Sequence, residues 1–204
     1  MSDGRKLLNS ALSGERTARP AWVPFVGAHG AELIGVSAPD YLRSSDHIVN
    51  GQTRAAKRYK ADGIPVTFDL QIEAEALGCQ LHWPDDGPPS VMSHPLEVND
   101  SLESLPDFDV TAGRVPLVAE ATRRLREELP EDVALYGLIA GPFTLAVHLR
   151  GNMIFLDMFD TPDKVQALVA YCSEIARQMG DVYINSGADI VAVVDPMISQ
   201  ISSE

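Results

Sequence analysis

Asp69, Glu73, His148, Asp195 and His29 are the side chains of this sequence whose types and places suit proton transfer, hydrogen bonding or ligation. Asp69 stands between Phe68 and Leu70, where apolar neighbours strip part of its water, so its carboxylate can bind a cationic nitrogen or move a proton. Glu73 follows one helical turn later, with Glu75 close behind. It either faces the same space as Asp69 or is a solvated acid complementing the start of its helix. His148 falls one turn after Thr144; a neutral imidazole there can donate or accept, and a satisfied buried histidine fits the same pattern. Cys79 and Cys172 lie far apart, no two His or Cys residues have close metal-ligand spacing, and no glycine-rich phosphate fingerprint is present. Cys79, in Leu77-Gly78-Cys79, reads as a small buried residue rather than a nucleophile. His47, His82 and His94 fall in surface-loop or edge segments and are assigned nothing.

The elements that must position these groups alternate along the chain. Strands are expected near 22–28, running into Gly27-Ala28-His29-Gly30; at 64–69, ending on Asp69; over Ala134–Ile139, before Gly141-Pro142; and over Asp189–Val194, ending on Asp195-Pro196. Continuous apolar runs such as the third are the mark of strands buried on both faces. Helices are expected over Lys6–Leu12 with Gly14 closing it, Thr53–Lys60, Glu73–Leu77, Val115–Leu129, and Pro162–Met179 with Thr161 as its cap. Residues 84–112 hold five prolines and read as loop with one helical turn near Ser101–Leu105. Buried strands alternating with helices mean βαβ units and a parallel sheet, wound flat or closed into a barrel. In both cases function collects at the carboxyl ends of strands, where His29, Asp69, His148 and Asp195 stand. Polar strand ends also arise from loops and helix caps, so each residue alone has that plainer explanation; their convergence points to a shared cleft.

The 204 residues are enough for one large domain or two small ones, and a single domain over 1–204 is expected. Sixteen basic against 29 acidic residues give a net charge of −13, which repels phosphate backbones and anionic membranes, so neither nucleic acid nor membrane is an expected partner. The polar start Met1–Lys6 argues against a signal peptide, and the apolar stretch Val133–Val147 is too short and interrupted for a membrane span of about 20 residues. With two distant cysteines, a reducing cytoplasm is the expected compartment.

Several phrases resemble one family in its own order. Gly141-Pro142-Phe143-Thr144-Leu145-Ala146 is similar to the Gly-x-Pro-[Phe/Trp]-Thr-Leu stretch of the uroporphyrinogen decarboxylase superfamily. Phe68-Asp69 followed by Ala76-Leu77-Gly78 resembles its catalytic-aspartate segment. Leu12-Ser13-Gly14-Glu15 to Arg19-Pro20 resembles its opening, and Asp157–Pro162 its mid-chain helix start. The resemblance implies a (β/α)₈ TIM barrel of which this chain is expected to hold about the first half, truncated at the C-terminus. It implies Asp69 and His148 as catalytic residues, and His29, Glu73, Phe143 and Asp195 as substrate-binding ones.

Two departures bear on the activity the resemblance implies. Decarboxylase members hold substrate carboxylates with arginines after the first strand, whereas Phe25–Glu32 contains none. They also carry a tyrosine where His148 falls. Both fit the branch that transfers a methyl group from a methylated corrinoid, carried on a partner protein, to a thiol or pterin. Uroporphyrinogen III decarboxylation in porphyrin biosynthesis is the alternative. The third reading is a non-catalytic module that binds corrinoid or tetrapyrrole, or pairs with a complementary half barrel or a second copy. The zinc of the methyltransferase branch is held by the family's second half, so no cofactor is expected on these residues. The complete protein is expected to be an enzyme and this stretch alone inactive, because a half barrel leaves open sheet edges.

Overall fold

The computed structural model describes residues 3–201. Helices α1 (Gly4–Leu12), α2 (His29–Ile34), α3 (Ala38–Leu42) and α4 (Ser45–Tyr59) precede strand β1 (Gly63–Pro65). Helix α5 (Ile72–Ala76), strands β2 (Leu81–His82) and β3 (Ser90–Val91), and helix α6 (Val115–Glu128) lead to β4 (Ala134–Ala140). Helices α7 (Pro142–Arg150), α8 (Ile154–Asp160) and α9 (Pro162–Asn185) lead to β5 (Ile190–Val194).

The apolar runs 134–140 and 190–194 pair in parallel, with Tyr136 opposite Ile190 and Ala140 opposite Val194, and β1 lies parallel on the other side of β4. The sheet order β1-β4-β5 leaves β4 central and buried at every residue, as its unbroken hydrophobicity requires. β5 is only half-buried, with Val193 59% exposed. Two packed cores result. One joins α4, α6 and α9 to β1 and β4 through residues such as Ile48, Ile64, Leu125, Leu135 and Met179; the other joins α5, α7, α8 and α9 through Leu77, Leu145, Ile154 and Cys172. At Gly137 a Cβ would collide with the Tyr183 ring, so the glycine lets α9 settle on β4.

The expected strand at 22–28 is not a strand. Pro24 has no N–H to offer a ladder, and Val26 N–H turns back onto the Pro24 carbonyl at 3.0 Å. The segment still lies along the sheet, because Asp62 N–H reaches the Trp22 carbonyl at 2.9 Å and the Tyr136 hydroxyl reaches that of Pro24 at 3.0 Å. The strand expected at 64–69 is shorter: after Pro65 one further bond, Val66 N–H to the Tyr136 carbonyl at 2.9 Å, continues the pairing before the chain leaves for Asp69.

Helices run longer than hydrophobic spacing indicates. α4 begins at Ser45 because the Ser44 hydroxyl accepts from His47 N–H at 3.3 Å, and α9 continues to Asn185. Thr161 stands at the start of α9 without a side-chain capping bond. Gly14, expected to close the first helix, has φ +74° and follows the C-cap Ser13. Ser199–Glu204 has the residue types of a helix start; a 3₁₀ turn covers Pro196–Gln200, and Ser202–Glu204, like Met1 and Ser2, lie outside the described residues. No helix among the described residues is long and apolar enough to cross a membrane.

Candidate functional site

The carboxyl ends of β1, β4 and β5 deliver Asp69, the start of α7 and Asp195. Asp69 is 1% exposed. Its Oδ1 accepts the N–H of Gln71 at 2.9 Å, and its Oδ2 accepts from Arg114 Nη1 at 2.5 Å. Arg114, itself buried, donates through Nε to Glu75 Oε2 at 2.6 Å, so one guanidinium joins the loop after β1 to α5. Trp83 shields the group: Arg114 lies 4.7 Å and Arg43 3.9 Å from its ring centroid.

Glu73 is as buried as Asp69 and sends Oε1 to the N–H of Ala140, the last residue of β4, at 3.2 Å. Burial pushes its carboxyl up to about 7; Asp69 adds to the rise, while the Ala140 N–H and Arg114 oppose it. The Tyr183 hydroxyl, arriving from α9, is buried without a recorded partner, and its phenol is raised by burial and then by the charges of Glu73 and Asp69.

His148 sits on α7. Burial pushes its imidazole down to about 4, His94 acts in the same direction, and Asp69 opposes them. The ring is therefore neutral at neutral pH, and its Nδ1 is buried without a recorded partner. The helix is fixed at both ends by distant residues. His94 Nδ1 donates to the His148 carbonyl at 2.8 Å, where the Cys79 thiol also points at 3.5 Å. Asp195 accepts the N–H of Phe143 at 3.0 Å, and the N–H and hydroxyl of Thr144 at 2.8 and 2.6 Å. This carboxylate from the end of β5 caps a helix far away in sequence, and a Cβ at Gly141 would collide with it.

The structure thus brings Asp69, Glu73 and His148 into one electrostatic group and carries Asp195 to the start of α7. Phe143 is packed in the core, edge-on to Phe155 at 6.2 Å. His29 finds partners elsewhere: Glu32 at 3.2 Å and the Tyr59 hydroxyl at 2.5 Å. Among the described residues no three His, Cys, Asp or Glu side chains gather as a metal ion needs. Burial pushes the thiols of both Cys79 and Cys172 up to about 12.

Sequence reasoning missed Arg114 and Tyr183. Arg114 carries a signal in retrospect: a cation immediately before an amphipathic helix opposes the helix dipole and requires an acidic partner elsewhere. Tyr183 has only helical spacing, the mark of any core residue.

The motifs around Asp69 and Gly141 lie within the stretch matched by the comparisons. The uroporphyrinogen decarboxylase (URO-D) family profile matches residues 3–204, and the chain belongs to that family. It is 32% identical over 204 residues to the methylated-thiol–coenzyme M methyltransferase of Methanosarcina mazei, covering 98% of this chain and 55% of that protein. It is 32% identical over 139 residues to the methylcobamide:CoM methyltransferase MtbA of Methanosarcina acetivorans, covering 68% of this chain and 41% of that one. The uroporphyrinogen decarboxylase of a Nocardioides species is similar too, at 28% identity and 96% coverage of this chain. A solved methyltransferase from Methanosarcina mazei superposes with a TM-score of 0.85 at 21% identity, over 98% of this chain and 61% of its own. That likeness establishes the fold as the corresponding part of a URO-D-type barrel. The chain spans about half the length of the curated relatives it matches.

Proposed function

We propose that this chain is the N-terminal half of a methyl-corrinoid-dependent methyltransferase, which moves a methyl group from a corrinoid protein to a thiol or pterin. The observation that carries this reading is the balance of charge at Asp69. The cation there, Arg114, is already held by Asp69 and Glu75, and the segment Phe25–Glu32 offers no arginine or lysine. A tetrapyrrole with several carboxylates needs several cationic donors, whereas of Arg114 the Nη1 and Nε groups are committed and Nη2 alone is left, and Arg43 stacks on Trp83. A corrinoid, whose peripheral groups are amides, and a thiol make no such demand. A methylated corrinoid supplies the transferable methyl group when bound. In this reading Asp69 and the neutral His148 face corrinoid or acceptor as catalytic groups, with Glu73 and Asp195 holding the ends of β4 and α7 around them and His29 and Phe143 as the outlying substrate-binding candidates.

Partner contact on the sheet side has its own support. Val193 is 59%, Phe25 62% and Trp22 50% exposed, and β5 pairs on one side only among the described residues. Within the proposal, residues 1–204 are one domain whose open edge meets a complementary half barrel or a second copy.

The test is methylcobalamin demethylation with coenzyme M as acceptor, followed by absorbance, in parallel with uroporphyrinogen decarboxylation followed by porphyrin fluorescence. Thiol-dependent demethylation without porphyrin product is expected of the complete protein. Formation of decarboxylated porphyrin would transfer the assignment to the decarboxylase reading.

A further inference from the structure

Of Asp69, Glu73 and Glu75, Glu73 is the carboxyl that no cation touches. Asp69 and Glu75 share Arg114, at 2.5 and 2.6 Å. Glu73 Oε1 instead accepts from the N–H of Ala140, and its Oε2 is buried with no recorded partner. Two carboxylates around one guanidinium already leave a net negative charge. Ionising Glu73 beside them would add a second in a place closed to water, where an unpaired charge is strongly disfavoured. The groups facing Glu73 are Asp69 from the loop after β1, Arg114 from the start of α6, and Tyr183 from α9. His148 on α7, which answers to Asp69, is neutral and supplies no compensating cation at neutral pH. The Tyr183 hydroxyl is another buried atom without a recorded partner, and Glu73 is first among the charges it feels.

We propose that Glu73 works as a neutral carboxylic acid, a positioning residue that accepts from the end of β4 through one oxygen, leaving Asp69 and Glu75 as the ionised pair around Arg114. The arrangement divides the labour among three carboxyls by which of them a cation reaches. Glutamine reproduces the protonated acid in shape and charge, with one acceptor for the Ala140 N–H. Glu73→Gln therefore keeps the site intact. The proposal concerns the protonation of the site and stands apart from the identity of the substrate.

Infrared spectroscopy of the chain in heavy water tests it through the carbonyl stretch of protonated carboxylic acids, at mildly acidic pH where ordinary glutamates are ionised. A band is expected in the unaltered chain and absent in Glu73→Gln. Asp69→Asn removes a neighbouring negative charge and moves the band's disappearance to lower pH. Absence of the band from the folded chain, its survival in Glu73→Gln, or a titration unmoved by Asp69→Asn would each overturn the proposal.

Discussion

Arg114 and Asp69 stand 45 residues apart in sequence and meet at 2.5 Å, both side chains almost wholly withdrawn from water. Such a pair acts more as a constraint than as a source of stability, because desolvation offsets most of its attraction. Removing one partner is another matter, since the other is left charged and buried. Arg114→Met is expected to destabilise the fold by about 3–5 kcal/mol. Adding Asp69→Asn to that variant should recover part of the loss. Urea unfolding of the two single variants and the double measures the coupling; strictly additive losses would show that the pair is not a unit.

The capping of α7 by Asp195 makes a second prediction. Asp195→Ala removes the acceptor for the Phe143 and Thr144 N–H groups together, and should reduce stability by about 1–2 kcal/mol. Asp195→Asn keeps an acceptor and should lose less. Hydrogen exchange locates the effect: the amides of Phe143 and Thr144 should lose protection first. Uniform loss along the chain would place the role of Asp195 elsewhere.

Legibility in the sequence followed the range of the interactions. β4 was readable because burial on both faces leaves an uninterrupted apolar run, β5 because its apolar run is as unbroken although it is only half-buried, and α6 because its wet and dry faces alternate at helical spacing. The segment at 22–28 misled because Ala21–Val26 has strand-like side chains while Pro24 removes a donor, and pairing is a property of the backbone. Asp69 and Glu73 were legible as acids near a strand end. Their difference was not, because it depends on Arg114 arriving from the far side of a proline-rich loop. Asp195 was legible as a strand-end acid, but its grip on Thr144 depends on the parallel register of β4 and β5.

The exposed β5 edge predicts association. With Val193, Phe25 and Trp22 uncovered, the 204-residue chain should self-associate or bind a complementary polypeptide, seen as mass growing with concentration in sedimentation. A dilute, cooperative monomer over the whole concentration range would contradict this.

Asp69→Asn separates electrostatics from capping. In the complete, active protein, turnover should fall by about 10²-fold or more if the charge acts on bound reactants, the scale of losing one electrostatic or acid–base group. If Asp69 serves only to accept the Gln71 N–H and to anchor Arg114, Asn preserves the first contact and turnover should stay near normal while stability drops. Turnover and melting measured on the same preparations distinguish the two.

The last prediction uses the opposed titrations of Glu73 and His148. Glu73 is raised from an ordinary 4.5 to about 7, so across that window the folded chain holds a proton the unfolded chain has released. The folded state binds more protons there, and the Glu73 contribution makes stability fall as pH rises from about 4.5 to about 7. His148 is lowered from 6.5 to about 4, so across its window the unfolded chain binds the proton instead. Its contribution makes stability rise with pH from about 4 to 6.5. Where the windows overlap the two slopes oppose each other, and single substitutions should expose them. Relative to the unaltered chain, the melting temperature of Glu73→Gln should climb with pH across the overlap, because the falling contribution is gone. That of His148→Gln should decline over the same range, because the rising one is gone. Taking each variant against the unaltered chain at equal pH cancels the titration of every other group. Parallel melting curves at all pH values would show that neither residue titrates differently in the folded and unfolded states, and would take from the Asp69 site the protonation pattern assigned to it.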